Sequence, residues 1–159
     1  MKHLPKHLTE RWRYLAVEVT AWPGTSLSRG AFQRELWFAA QNLLGDVGSA
    51  DADLTVFGFE GAAGEYETIV RARRGEVGPA RAALACIDAV GDDPVGVYVR
   101  GVSGTVRACE ESYLGRATGA TEQRHVAFDG VDRPAHVRDD AIDVSLPDGH
   151  VGAAELDFE

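Results

Sequence analysis

From Trp12 to Ala21 apolar and polar positions alternate, with Leu15, Val17 and Val19 on one face and Tyr14, Ala16, Glu18 and Thr20 on the other. A period of two predicts a half-buried strand, which Trp22-Pro23-Gly24 ends. Ser28 then offers an N-cap to a helix running through Leu44, whose Phe32, Leu36, Ala39, Ala40, Leu43 and Leu44 recur at helical spacing; Gly45 supplies a C-terminal stop. Asp53–Phe59 and Tyr66–Arg74 read as strands joined by the turn Glu60-Gly61-Ala62-Ala63-Gly64, a hairpin. A second helix is predicted over Glu76–Val90, with Val77, Ala80, Leu84 and Ile87 inward. Pro94–Val102 alternates again as a fourth strand, and a short helix over Thr105–Leu114 follows.

The order β-α-β-β-α-β is the split βαβ of a ferredoxin-like, RRM-like α+β sandwich, here with an added C-terminal helix. It divides the chain into an arm over residues 1–11, a folded domain over 12–114 and a tail over 115–159. The tail is rich in Gly, Asp, Thr and Ala without sustained period; Ile142, Val144 and Leu146 offer one short strand, and the rest is expected to be a flexible acidic segment.

Charge changes this picture. The 159 residues carry a formal net charge of −9, and only Lys2 and Lys6 among the bases are lysine. Such an acidic, arginine-biased balance fits a chain adapted to a salty cytoplasm. Residues 1–114 hold 12 bases against 15 acids, and residues 115–159 hold 4 against 10, so most of the excess lies in the tail. Bases cluster in the first part: Lys2, Lys6, Arg11 and Arg13, then Arg71, Arg73 and Arg74, then Arg100 and Arg107. No apolar run reaches the ~18 residues of a membrane helix, and no signal-peptide core follows the basic start. The expected compartment is the cytoplasm, with no membrane partner.

Catalytic chemistry finds no platform in the sequence. His3, His7, His125, His136 and His150 all fall in the arm or the tail, and Cys86 and Cys109 form no CxxC pair. Asp51 with Asp53 and Asp92 with Asp93 flank strand ends, where acids serve as solvated turn residues. Phosphate-loop, dinucleotide and zincin motifs are missing. Trp22-Pro23-Gly24-Thr25-Ser26 is not the Gly-rich, Arg-bearing loop of an acylphosphatase. No catalytic residue, protein-bound metal or protein-bound cofactor is expected.

Binding fares better. The face opposite Leu15, Val17 and Val19 is expected to carry Tyr14, Phe57, Phe59, Arg71, Arg73, Tyr98 and Arg100. Rings that stack bases, interleaved with guanidinium groups that hold phosphates, make an RNA platform. Periodicity does not separate this from Phe57 and Phe59 lying as ordinary core beneath the third helix. Ser103-Gly104-Thr105 with Arg107 ends a strand and opens a helix, a place where backbone N–H groups favour an anion, though by physics alone a plain helix cap is the better account.

Leu4-Pro5-x-x-Leu8, Arg13-Tyr14-Leu15, Leu27-Ser28-Arg29, Val70-Arg71-x-Arg73 and Val102-Ser103-Gly104-Thr105-x-Arg107 occur in that order over residues 4–114. In these strings the chain resembles the archaeal and eukaryotic ribonuclease P protein component 2 family. Thr9, where a basic residue is common, and Ala72, where a cysteine is common, depart from the pattern, and the acidic tail lies outside it. The resemblance implies a protein subunit of the ribonucleoprotein that removes the 5′ leader of precursor tRNA. It implies hydrolysis by the RNA subunit with RNA-bound Mg2+, leaving a 5′-phosphate on the tRNA. It also implies pairing with the TIM-barrel component 3 beside other ribonuclease P proteins. RNA contacts are expected at Lys2, Lys6, Arg11, Arg13, Tyr14, Arg71, Arg73, Arg74, Tyr98, Arg100, Ser103, Gly104, Thr105 and Arg107. The alternatives are a stand-alone single-stranded RNA-binding module and a purely protein-binding regulator of the same fold.

Overall fold

The computed structural model describes Pro5 and residues 11–115, 121–138, 141–147 and 149–153. Strand β1 (Trp12–Ala21) leads into helix α1 (Arg29–Ala52), and β2 (Thr55–Ala62) and β3 (Glu65–Arg73) form the hairpin. Helix α2 (Val77–Ala85), β4 (Ala89–Val90), β5 (Asp93–Ser103) and α3 (Val106–Tyr113) follow. The sheet order is β2-β3-β1-β5-β4, and β1, β2, β3 and β5 reproduce the expected ferredoxin-like arrangement. Leu15, Val17, Val19, Val56, Val70 and Val95 line one sheet face against Phe32, Leu36, Ala80 and Leu84 of α1 and α2.

Two helices differ from their predicted spans. Gly45 does break α1, at φ 73°, yet helical turns resume over 46–52. The bare Gly48 permits this: a Cβ there would sit 2.8 Å from the Leu44 Cβ, so the second segment packs back tightly. Helix α2 ends at Ala85, not Val90, because the Cys86 N–H bonds back to the Ala83 carbonyl and closes the last turn. Ala89 and Val90 then pair with Pro94 and Asp93 around Gly91, at φ 62°. Both helix caps expected from sequence form: the Ser28 and Thr105 hydroxyls accept from the Ala31 and Ala108 N–H groups.

The second sheet face is covered, not open. Helix α3 lies over it, enclosing Ala16, Ile69 and Cys109 with Tyr14, Val106, Tyr113 and Leu114. Gly101 makes the close approach possible, since a Cβ there would lie 2.2 Å from the Tyr113 ring. Arg100 lies on this same face, at a bulge in β5 opposite Ala16 and Val17 that brings Gly101 onto the face beside it. Its guanidinium bonds Glu18 at 2.8 and 3.0 Å, Glu67 at 2.6 Å and the Tyr113 carbonyl at 3.0 Å. Glu18 and Glu67 face each other across β1 and β3, so without Arg100 two carboxylates would oppose one another on the buried face.

Beyond Gly115 the structure departs from the expected flexible tail. β6 (Thr121–Phe128), β7 (Val131–Arg138), β8 (Ala141–Leu146) and β9 (Gly149–Ala153) form a four-stranded antiparallel meander. Val126, Ala135, Ile142 and Val144 are its buried cluster. Asp129 and Gly130, at φ 54° and 74°, make the two-residue hairpin turn that an Asp-Gly pair favours. This signal was obscured because each apolar alternation is short and mixed with charges. β9 lies against β5, with the His150 ring 3.7 Å from where a Gly96 Cβ would be, on the face that α3 also covers.

Two consequences are measurable. Arg100→Met should destabilise the fold by about 3 kcal/mol, the low end for a broken buried pair, because it leaves Glu18 buried and uncompensated beside the half-buried Glu67. Adding Glu18→Gln and Glu67→Gln to that variant should recover part of the loss in a denaturant titration. Burial, helped by neighbouring Glu110, pushes the Cys109 thiol up to about 11. The unfolded thiol ionises near 9.0, so between there and about 11 the unfolded state binds fewer protons, and stability should fall as pH rises through that window. At mildly alkaline pH, alkylation followed by mass spectrometry should therefore modify the exposed Cys86 and spare the buried Cys109 until the chain unfolds.

Candidate nucleic-acid interface

Charge is sorted along the central strands. The antiparallel register sets Trp12 beside Arg73 and Tyr14 beside Arg71 at one end, and Glu18 beside Glu67 and Thr20 beside Glu65 toward the other. Arg11 joins the first end, since its carbonyl accepts from the Arg74 N–H at 2.9 Å. One edge of the sheet thus gathers Arg11, Arg13, Arg71, Arg73 and Arg74.

Their surroundings differ. Arg73 pairs with Asp53 at 3.6 Å, both side chains being partly exposed, which makes a weak tether. Arg71 stacks on Trp12, its guanidinium carbon 3.8 Å from the ring centroid, and lies 5.2 Å from the Phe57 centroid. Arg73 approaches the same Trp12 ring at 5.8 Å. Arg13 donates to the Trp12 carbonyl and reaches toward Gly104, whose Cβ would lie 3.9 Å from its Nη1. Arg11, Arg13, Arg71 and Arg74 have no carboxylate partner among the described residues.

Other expected contacts fall elsewhere. Arg100 is only 16% exposed and belongs to the Glu18–Glu67 clamp, so it is a structural cation and not a phosphate ligand. Burial works against its charge, but hydrogen bonds to Glu67 and Glu18 and the attraction of both carboxylates outweigh that and raise its pKa. Tyr14 is half-buried under α3 and meets Phe57 edge-on at 6.4 Å. Phe59 is not on this face at all. Gly58, at φ 59°, shifts the register between Phe57 and Phe59, so Phe59 turns inward onto Tyr66 at 4.9 Å and Phe32 at 5.6 Å. Tyr98 is exposed but stands opposite Glu18, away from the arginines. Thr105 caps α3, and Arg107, in the first turn, pairs with Glu111 at 2.8 Å on the exposed helix surface. Ser103 lies beside Tyr14 in the sheet. Lys2 and Lys6 lie outside the described residues.

The residue that sequence reasoning missed is Trp12. Alternation shows it only as the first position of a strand, yet it shares a face with Tyr14 and stands in register with Arg73. Counting the antiparallel pairing of β1 with β3 would have placed it among the arginines.

His125, His136 and His150 all belong to the second sheet, and no group of three or more His, Cys, Asp or Glu with metal-holding geometry gathers among the described residues. Nor is any described helix long and apolar enough to cross a membrane.

Comparison with known proteins agrees with the geometry. The Rpp14/Pop5 family profile matches residues 13–114, ending before the second sheet begins. The chain is 61% identical over 159 residues to ribonuclease P protein component 2 of Halorubrum lacusprofundi, covering all of both chains. It is 60% identical over 160 residues to the protein of that name in Haloarcula marismortui, covering 99% of each. Ribonuclease P protein component 2 of Methanosarcina barkeri is 32% identical over 114 residues, 72% of this chain and 80% of that one. The two highly similar relatives come from halophilic archaea, in keeping with the acidic composition. From β1 to α3, the chain belongs to the Rpp14/Pop5 family of ribonuclease P protein subunits.

Proposed function

We propose that this subunit supports the RNA of ribonuclease P by holding phosphates at the arginine end of its sheet, and supplies no hydrolytic group of its own. The observation that carries this reading is the clustering of Arg11, Arg13, Arg71 and Arg74, without carboxylate partners among the described residues, in a chain whose acids outnumber its bases. Cations held away from acids keep their full charge for a phosphate backbone. Glu18 and Glu67, the carboxylates that meet inside the fold, are both bound by Arg100, which leaves neither free for proton transfer.

On this reading the RNA subunit hydrolyses precursor tRNA with Mg2+ held by RNA, and the cytoplasmic holoenzyme also contains component 3 and further protein subunits. Membership of the Rpp14/Pop5 family favours this over a stand-alone single-stranded RNA-binding module. The covered sheet points the same way, since α3 occupies the face that such a module would present to bases.

The purified chain alone should not cleave precursor tRNA, and it should stimulate the cognate RNA subunit when component 3 is present. Magnesium-dependent cleavage by the RNA-free chain, abolished by a point change in it, would overturn the reading. Arg71→Ala and Arg74→Ala should each weaken RNA binding across sequences and lower the slope of log affinity against log salt by about one. Arg107→Ala should have a smaller effect, because that side chain stands on the exposed surface of α3, outside the arginine cluster, with a carboxylate beside it. Filter binding over a potassium chloride series measures all three.

A further inference from the structure

Trp12 has no role in the core: it lies outside both clusters of the main domain and is half-buried at the strand's edge. What it does touch is cationic, with Arg71 3.8 Å above its ring and Arg73 at 5.8 Å. Arg71 is held between Trp12 and Phe57, and its Nε is buried without a hydrogen-bond partner. Its two terminal amino groups make no hydrogen bond among the described residues. A planar guanidinium fixed by stacking loses little freedom when its outer fork bonds a phosphate. Arg73 follows two positions along the same strand face, about 7 Å away at the backbone, a separation comparable with consecutive phosphates of one nucleic-acid strand.

We propose that Trp12 is a positioning residue that sets Arg71 and Arg73 as a rigid phosphate clamp, and that the clamp takes the sugar-phosphate backbone of double-helical RNA. The proposal rests on the reading that the arginine end meets RNA, and adds which form of RNA and by what means. Rings that bind unstacked bases must present a free face. Here Trp12 carries Arg71 and Tyr14 lies under α3; of the sheet's exposed rings, Phe57 already meets Arg71 and the Tyr14 edge, and Tyr98 stands at the Glu18 end, away from the arginine cluster. A rigid pair of forks suits phosphates whose positions are already fixed by a helix, because neither side must be ordered on binding. At molar salt the screening length is about 3 Å, so close directed hydrogen bonds must carry more of the affinity than diffuse attraction.

The test uses the full chain, a short RNA duplex of arbitrary sequence and an oligouridine strand of equal length. Fluorescence anisotropy is read across the potassium chloride range in which circular dichroism shows the chain folded. The duplex should bind more tightly than oligouridine. Trp12→Ala should weaken duplex binding roughly tenfold and lower the salt slope by about one, while Trp12→Phe restores most of both. Arg71→Lys should lose nearly as much as Arg71→Ala, and it tests the same stack should Trp12→Ala fail to fold. Tighter binding of oligouridine, a Trp12→Ala loss confined to oligouridine, or a wild-type Arg71→Lys would overturn the clamp while leaving the arginine end as an RNA surface. If the double variant Arg71→Ala, Arg73→Ala binds both RNAs as the wild type does, the interface itself is misplaced and the clamp falls with it.

Discussion

The Arg100 guanidinium holds the far face of the sheet together. Glu18 on β1 and Glu67 on β3 meet side by side in a nearly dry layer, an arrangement that repels unless a cation lies between them. Arg100 supplies it, and by also bonding the Tyr113 carbonyl it fastens the end of α3 across three strands. The Glu67 carboxylate in turn accepts from the Gly115 N–H, so the chain leaving α3 is tied to the same group. Gly101 beside the clamp leaves room for the Tyr113 ring. From this one ion cluster follow the covered face, the buried Cys109 and, within this sheet, the confinement of its outward arginines to the strand ends.

The second sheet completes that confinement. It sets β9 against β5 and the His150 ring over Gly96, near Thr20, on the same face as α3. Two different covers therefore lie on the surface that a base-stacking sheet would leave bare. The arginines of this sheet that remain outward are those at the start of β1 and the end of β3, beyond the reach of either cover. Burial and function are divided along the strands more than between the two faces.

Much of this was legible in the sequence. Alternation in Trp12–Ala21 and Pro94–Val102, helical spacing after Ser28 and the glycine-containing hairpin turn are local signals, and they predict the sandwich correctly. What local periodicity does not carry is position against a neighbour. Arg100 looks like a surface cation because Glu18, Glu67 and the Tyr113 carbonyl, which enclose it, lie on other elements. Phe57 and Phe59 look like one face because the Gly58 shift appears only when β2 is paired with β3. Trp12 acquires meaning only through its register with Arg73, and the second sheet through pairings among strands too short to stand out singly. The family resemblance located the arginine-bearing strings without distinguishing which of them turn inward.

The end-to-end sorting of charge on β1 and β3 gives the molecule a polarity when it meets a polyanion. Arg11, Arg71 and Arg74 attract at one end, while at the other the two carboxylates Glu18 and Glu67 share the single cation Arg100 and keep a net negative charge, so a rotated approach gains no attraction. In dilute salt such a dipole would turn the protein before contact. At molar salt, where fields are screened within about 3 Å, it would act only after collision. Orientation is then selected by how long each encounter lasts: wrong-way contacts dissociate quickly, and right-way contacts persist. At molar salt, this charge sorting would tell in how fast a polyanion leaves and not in how fast it arrives.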